Sequence, residues 1–171
     1  MKKYLPFTLT AIVIALDQIT KALVVAFIPE NTMWKSFFAD YLEIIHVRNN
    51  AVAFSMGSGF PMLLKIALFI IVPLVFLGML AYYLVKAKDE DVTVFQRWLM
   101  AGIVGGGVGN VIDRIFRGMS VVDFISTNNY GFLGMERFPT YNIADASVVI
   151  CVILMILTII FPSRDNKEKN K

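Results

Sequence analysis

Four apolar blocks, each long enough to cross a bilayer, constrain this chain more than any other feature of it. A helical span needs roughly 20 mainly apolar residues. Such runs lie at about Leu5–Ile28, Met62–Val85, Trp98–Phe116 and Ile143–Phe161, with short polar stretches between them. A soluble bundle with a greasy core does not account for blocks arranged in this way. Composition points the same way, with 57% of the 171 residues hydrophobic and 17% charged, far from the balance of a soluble domain. The expected fold is an all-α polytopic membrane protein, a single membrane domain over residues 1–171.

The first block follows Lys2 and Lys3 and so has the start of a cleavable signal peptide. Asp17, Gln18 and Lys21 interrupt it, however, and no small-residue cleavage site follows, so it reads as a retained span. An even number of spans puts both termini on one side. Lys2, Lys3, Lys86, Lys88, Arg97, Arg164, Lys167, Lys169 and Lys171 fall on that side; Lys35, Arg48, Lys65, Arg114, Arg117 and Arg137 fall on the other. The positive-inside bias makes the termini cytoplasmic. A net charge of +3 without a basic, aromatic-interleaved surface gives no reason to expect nucleic acid. Cys151, the one cysteine, excludes an intrachain disulfide and sits in the fourth apolar block as a small hydrophobe.

Two segments then face outward, about 29–61 and 117–141. In the first, Trp34, Phe37, Phe38 and Tyr41 suit the headgroup region, where amphipathic rings are favoured. LEIIHVR and AVAFSM flank Asn49-Asn50 and read as two short strands, a small β-structured outer element resting on the span ends. In the second block, Pro73 predicts a kink. In the third, Gly102 and Gly106, like Gly105 and Gly109, are four apart and open two rows for close helix approach.

An ionisable residue inside a span costs at least ~2.5–3.5 kcal/mol and needs a partner or a task. Asp17 and Lys21 share one helical face, acid before base, as a self-neutralising pair or as a brace for a site built by other helices. Asn110, Asp113 and Arg114 share a face near the outer end of the third span, where Arg114 can pair with Asp113 or with an acid from another helix. Asp123 lies between apolar neighbours in VVDFIS. Asn142 and Asp145 open the fourth span, which brings two carboxylates to the same end of adjacent helices.

Two close carboxylates cannot both ionise easily. They share a proton, so that one acts as general base on water while the other polarises a carbonyl. Intramembrane carboxylates also line proton and ion pathways, and the residues alone leave a peptide-cutting dyad and a small proton-coupled transporter or channel component both open. Zinc chemistry is disfavoured by a single histidine, His46, and no H-E-x-x-H helix; a Ser-His mechanism lacks an acid to orient that ring. No cofactor or metal is called for.

DQITK from Asp17, RNNAVAF from Arg48, GNVIDR from Gly109, VVDFI from Val121 and YNIADAS from Tyr141 together resemble the lipoprotein signal peptidases, in the family's order across all four spans. The resemblance implies a membrane aspartic endopeptidase of the bacterial inner membrane. It would remove signal peptides from prolipoproteins, cutting before the diacylglyceryl-modified cysteine, with membrane lipids around it and as a monomer. It also implies that Asp123 and Asp145 are catalytic, and that Asn49, Asn110, Asp113, Arg114, Asn142, Ala144, Asp17 and Lys21 support substrate and dyad. Ala51 stands where the family has glycine, and Tyr141 where it has phenylalanine.

Overall fold

A computed structural model describes residues 4–50, 59–88 and 90–161. Four of its helices or helical runs are long and apolar enough to cross a membrane: Phe7–Phe27, Met62–Lys86, Val94–Phe116 and Ile143–Ile160. The first is α1, the third α4 and the fourth α5. The second is α2 (Met62–Ile66), a π-helical turn (Ala67–Ile71) and α3 (Val72–Lys86). A π-helical turn stands immediately before Pro73, where the sequence predicts a kink. Proline has no N–H to offer and its ring crowds the carbonyl one turn back, so the helix widens just before it. The same turn directs Phe69 toward the interior.

Helix α4 is the central post, touching α1, α3 and α5. It is the least hydropathic of the four, and more than half of its most apolar stretch is buried by protein, whereas the others mostly present their sides outward. A helix that faces protein on most sides has no need of a greasy coat. It begins at Val94, four residues before the apolar block does, because Thr93 and Gln96 close a capping box. Arg97, 4% exposed, donates to the carbonyls of Leu84 (2.7 Å) and Ala87 (2.7 Å) and so caps the end of α3.

The two glycine rows face different helices. A β-carbon on Gly105 would lie 3.0 Å from the carbonyl oxygen of Thr10 in α1, and one on Gly106 would meet the Ala144 carbonyl and stand 2.7 Å from Val148 Cγ2 in α5. The contacts are between backbones, and a helix backbone cannot step aside alone. Gly106→Ala is therefore expected to cost about 1–3 kcal/mol, the usual price of overpacking. Unfolding in mixed detergent micelles reads that loss, and parent-like stability would contradict it.

Beyond the helices, β1 (Met33–Phe37), β2 (Leu42–Asn49) and β3 (Val121–Thr127) form an antiparallel sheet in that order. LEIIHVR is thus a strand, as expected. Its neighbours are β1, which carries Trp34 and Phe37, and β3, which opposes Val47 with Asp123 and Asn49 with Val121. The predicted partner strand AVAFSM, and Ala51 with it, lie outside the described residues. Val122 and Phe124 pack with Val24 and Ile28 over the end of α1. Because successive strand residues point to opposite faces, Asp123 between them turns the other way.

Candidate active site

Asn142 is the N-cap of α5. Its side-chain oxygen accepts from the amide of Asp145 (2.9 Å), and the Asp145 carboxylate accepts from the amide of Asn142 (3.2 Å). This reciprocal cap satisfies two helix-end donors and fixes where Asp145 stands. The other end of the Asn142 side chain reaches across to β3, where Nδ2 donates to Asp123 Oδ1 at 2.7 Å. One asparagine therefore holds both carboxylates. Its Nδ2 is also 3.2 Å from Asn110 Oδ1 and 3.3 Å from the Val122 carbonyl.

Each acid has a further amide donor. Asn49, the last residue of β2, donates to Asp123 Oδ2 (3.1 Å), and Asn110 from α4 donates to Asp145 Oδ1 (2.7 Å). Asp123 is 3% exposed, while Asp145 is half-buried. Burial, and then the charge of Asp145, push the Asp123 carboxyl up to about 7 against the pull of Asn49, Asn142 and Lys21.

Beneath the pair lies a dry ionic brace. Lys21 Nζ meets Asp17 Oδ2 (2.9 Å), Asp113 Oδ2 (3.1 Å) and Asn110 Oδ1 (3.0 Å), three acceptors for its three donors. Asp17 is thus more than a local partner for Lys21, since its other oxygen accepts the amide of Ala144 at 3.0 Å. A small residue is needed at 144, whose β-carbon would sit 3.3 Å from one placed on Gly109. Asp113 accepts the amide of Val122 (3.0 Å), the residue before Asp123. Its ion-pair partners are Lys21 and Arg117. Arg114, offered by the sequence as a partner for Asp113 or for an acid from another helix, lies 4.9 Å over the Phe69 ring and donates to the Met119 carbonyl at 3.4 Å. Its guanidinium still sits in the field of Asp123, Asp145 and Asp113.

Two members of this network were not assigned to the site from the sequence. Gln18 Nε2 reaches Asp17 Oδ2 (3.1 Å), the Gly109 carbonyl (3.1 Å) and Asp113 Oδ1 (3.0 Å), and Gln18 Oε1 accepts from Arg117 (3.1 Å). A glutamine beside an aspartate in an apolar span was itself a signal. Arg117 stands four residues after Asp113, the spacing of a helical ion pair.

The arrangement supplies two anchored carboxylates at the sheet-side end of the bundle. Cys151 packs against Gly102, and the His46 ring bonds to the Ile28 carbonyl at 2.7 Å. Among the described residues no group of His, Cys, Asp or Glu could hold a metal ion.

Comparison with known proteins adds the following. The family profile described as Signal peptidase (SPase) II matches residues 9–161. A lipoprotein signal peptidase of Treponema denticola is 42% identical over 96% of this chain and 94% of its own length. One of Treponema pallidum is 39% identical over 93% and 84%. A solved structure described as a bacterial membrane enzyme, at 2.3 Å resolution, superposes with a TM-score of 0.78 at 30% identity, covering 94% of this chain and 90% of that one.

Proposed function

The chain belongs to the signal peptidase II family, a family of membrane peptidases, and from that membership we propose that it removes signal peptides from bacterial prolipoproteins by means of a water held between Asp123 and Asp145. The observation that carries the mechanism is the double grip of Asn142, whose side-chain amide donates to the Asp123 carboxylate and whose backbone N–H donates to that of Asp145. An ion pathway needs carboxylates in succession across the midplane; here the pair is gathered at one end of the helices, above a neutralised brace.

In the proposed reaction Asp123 carries the shared proton and Asp145 is ionised, its carboxylate lying at a helix N-terminus where amide dipoles favour negative charge. Asp145 takes a proton from water as its oxygen attacks the scissile carbonyl, and Asp123 gives its proton to the carbonyl oxygen. The tetrahedral diol then collapses: one hydroxyl proton returns to Asp123, Asp145 passes its proton to the leaving amine, and the C–N bond breaks. The dyad ends as it began, with one proton. The bond cut precedes the diacylglyceryl-bearing cysteine, whose lipid delivers it to the membrane surface. In this reading the chain works as a single membrane domain and a monomer, with cytoplasmic termini and the sheet and dyad at the outer surface of the inner membrane. Asn49, Asn110, Asn142 and Arg114 hold the dyad and the backbone of the substrate, while Asp17, Lys21, Asp113 and Ala144 brace them.

The test is hydrolysis of a lipidated precursor by the purified protein, followed across pH. Product beginning at the lipidated cysteine supports the proposal; folded protein that leaves the precursor whole overturns it. The rate is expected to fall above pH about 7, approaching tenfold per unit, because the pair then loses the proton that polarises the carbonyl. Stability behaves differently. The folded Asp123 carboxyl lies near 7 and its ordinary value is 3.8, so the folded state holds a proton that the unfolded chain has lost. Asp123 therefore makes folding less favourable as pH rises between those values and adds nothing further above them. Activity lost above neutrality without matching unfolding is the expected signature.

A further inference from the structure

The ionic brace contains two fully buried acids, Asp17 and Asp113, and one fully buried base, Lys21. It is one positive charge short. Arg117, just past the end of α4, supplies it by pairing with Asp113 Oδ1 and donating to Gln18 Oε1 at 3.1 Å. Gln18 passes this contact on to Asp17 and back to Asp113 (3.1 and 3.0 Å). The other oxygen of Asp113 accepts the amide of Val122, so the acid that Arg117 holds also fixes the start of β3 one residue before Asp123.

The turn between them is built around the same residue. Gly118 and Met119 both take left-handed backbone, at φ 67° and 65°, and for Met119 that is a conformation side chains rarely accept. The Arg117 carbonyl receives the Ser120 hydroxyl (2.7 Å), and the Met119 amide bonds back to Arg114 (3.0 Å). An arginine anchored at both its carbonyl and its guanidinium holds the chain through this reversal.

We propose that Arg117 is a positioning residue for hydrolysis: through Asp113 it seats β3 and the Asp123 carboxyl, and by neutralising the brace it leaves the charge of Lys21 to act on the dyad. The charged and titratable groups around this network are Asp17 and Lys21 from α1, Asp113 and Arg114 from α4, Asp123 from β3 and Asp145 from α5. Without Arg117 the brace carries a net negative charge. A more negative surrounding favours the protonated dyad, so both limbs of the pH profile move to higher pH.

The proposal rests on the dyad reading, and Asp123→Asn run alongside separates the two. If Asp123→Asn still cuts, the dyad reading is wrong; if it is inactive while Arg117→Gln matches the parent, only this inference fails. Arg117→Gln in the full-length purified protein is expected to lower kcat about tenfold, as small misplacements of reacting groups do, with KM little changed. Its kcat/KM profile should shift upward by about half a unit to one unit. Arg117→Lys keeps the charge but not the planar fork, so it should restore the profile while kcat stays several-fold low. A parent-like kcat and profile in Arg117→Gln, or a loss confined to KM, overturns the proposal. Should Arg117→Gln fail to accumulate, Arg117→Lys decides by its kcat: reduced supports, parent-like overturns.

Discussion

Asparagine at Asp123 or at Asp145 is expected to give an inserted, abundant protein in which lipidated precursor accumulates uncut, with turnover down by about 10²–10⁴-fold or more. Asn has the shape of Asp but can neither take a proton from water nor give one to a carbonyl. The two variants should differ in stability. At 123 the change removes a carboxyl that burial and Asp145 already oppose; the amide oxygen can still accept from Asn142, and relief of that burden offsets the one bond lost where the new nitrogen faces Asn49. At 145 the new amide nitrogen must face either the Asn142 backbone N–H or Asn110 Nδ2, and both are donors. Asn110 cannot simply turn over, because its oxygen is held by Lys21 and Asn142. Asp145→Asn should therefore be the less stable of the pair. The double variant should be little worse in turnover than either single one, since a dyad fails as a unit. Precursor pulse-chase together with purified-enzyme kinetics checks all of this; parent-like processing by either single variant would end the dyad reading.

The parts of the molecule that could be read from the sequence are those governed by local rules. Span length marks the four helices, and spacing of four puts Gly102 with Gly106 and Gly105 with Gly109. The i, i+3 step from Asn142 to Asp145 gives the cap. What could not be read depends on chain segments far apart. β3 pairs with β2 across the whole of α2, α3 and α4, and VVDFIST is too short and too apolar to declare itself a strand. Asn49 reaches Asp123 only because of that pairing. That Lys21 reaches Asp113 as well as Asp17 depends on how α1 packs against α4, which periodicity does not anticipate. At Pro73 the sequence marks a break in helical regularity without specifying the π turn that precedes it.

Lys21→Met is expected to cost about 3–5 kcal/mol of stability, the penalty for removing one partner of a buried ion pair, and to damage turnover as well. Methionine fills a similar volume, so packing is not the reason. Asp17 and Asp113 are fully buried, and with Lys21 gone Asp17 loses its ion-pair partner while Asp113 keeps Arg117. Asn110 also loses one of the two donors that hold its oxygen, which weakens the aim of its amide at Asp145. Lys21→Arg should not rescue. A planar guanidinium cannot present three donors around one nitrogen to Asp17, Asp113 and Asn110 as the ammonium does. Asp17→Asn in the Lys21→Met background should rescue partly. It leaves Asp113 and Arg117 as a neutral pair, and the asparagine oxygen can still accept the Ala144 amide. The double variant is thus expected to be more stable than Lys21→Met alone, a coupling read directly from a double-mutant cycle in micelle unfolding. Stability without activity is the expected outcome, because the Asn110 amide still lacks its lysine. If the double variant recovers both, the brace serves only to neutralise charge, and the aim of Asn110 at the dyad must come from Asn142.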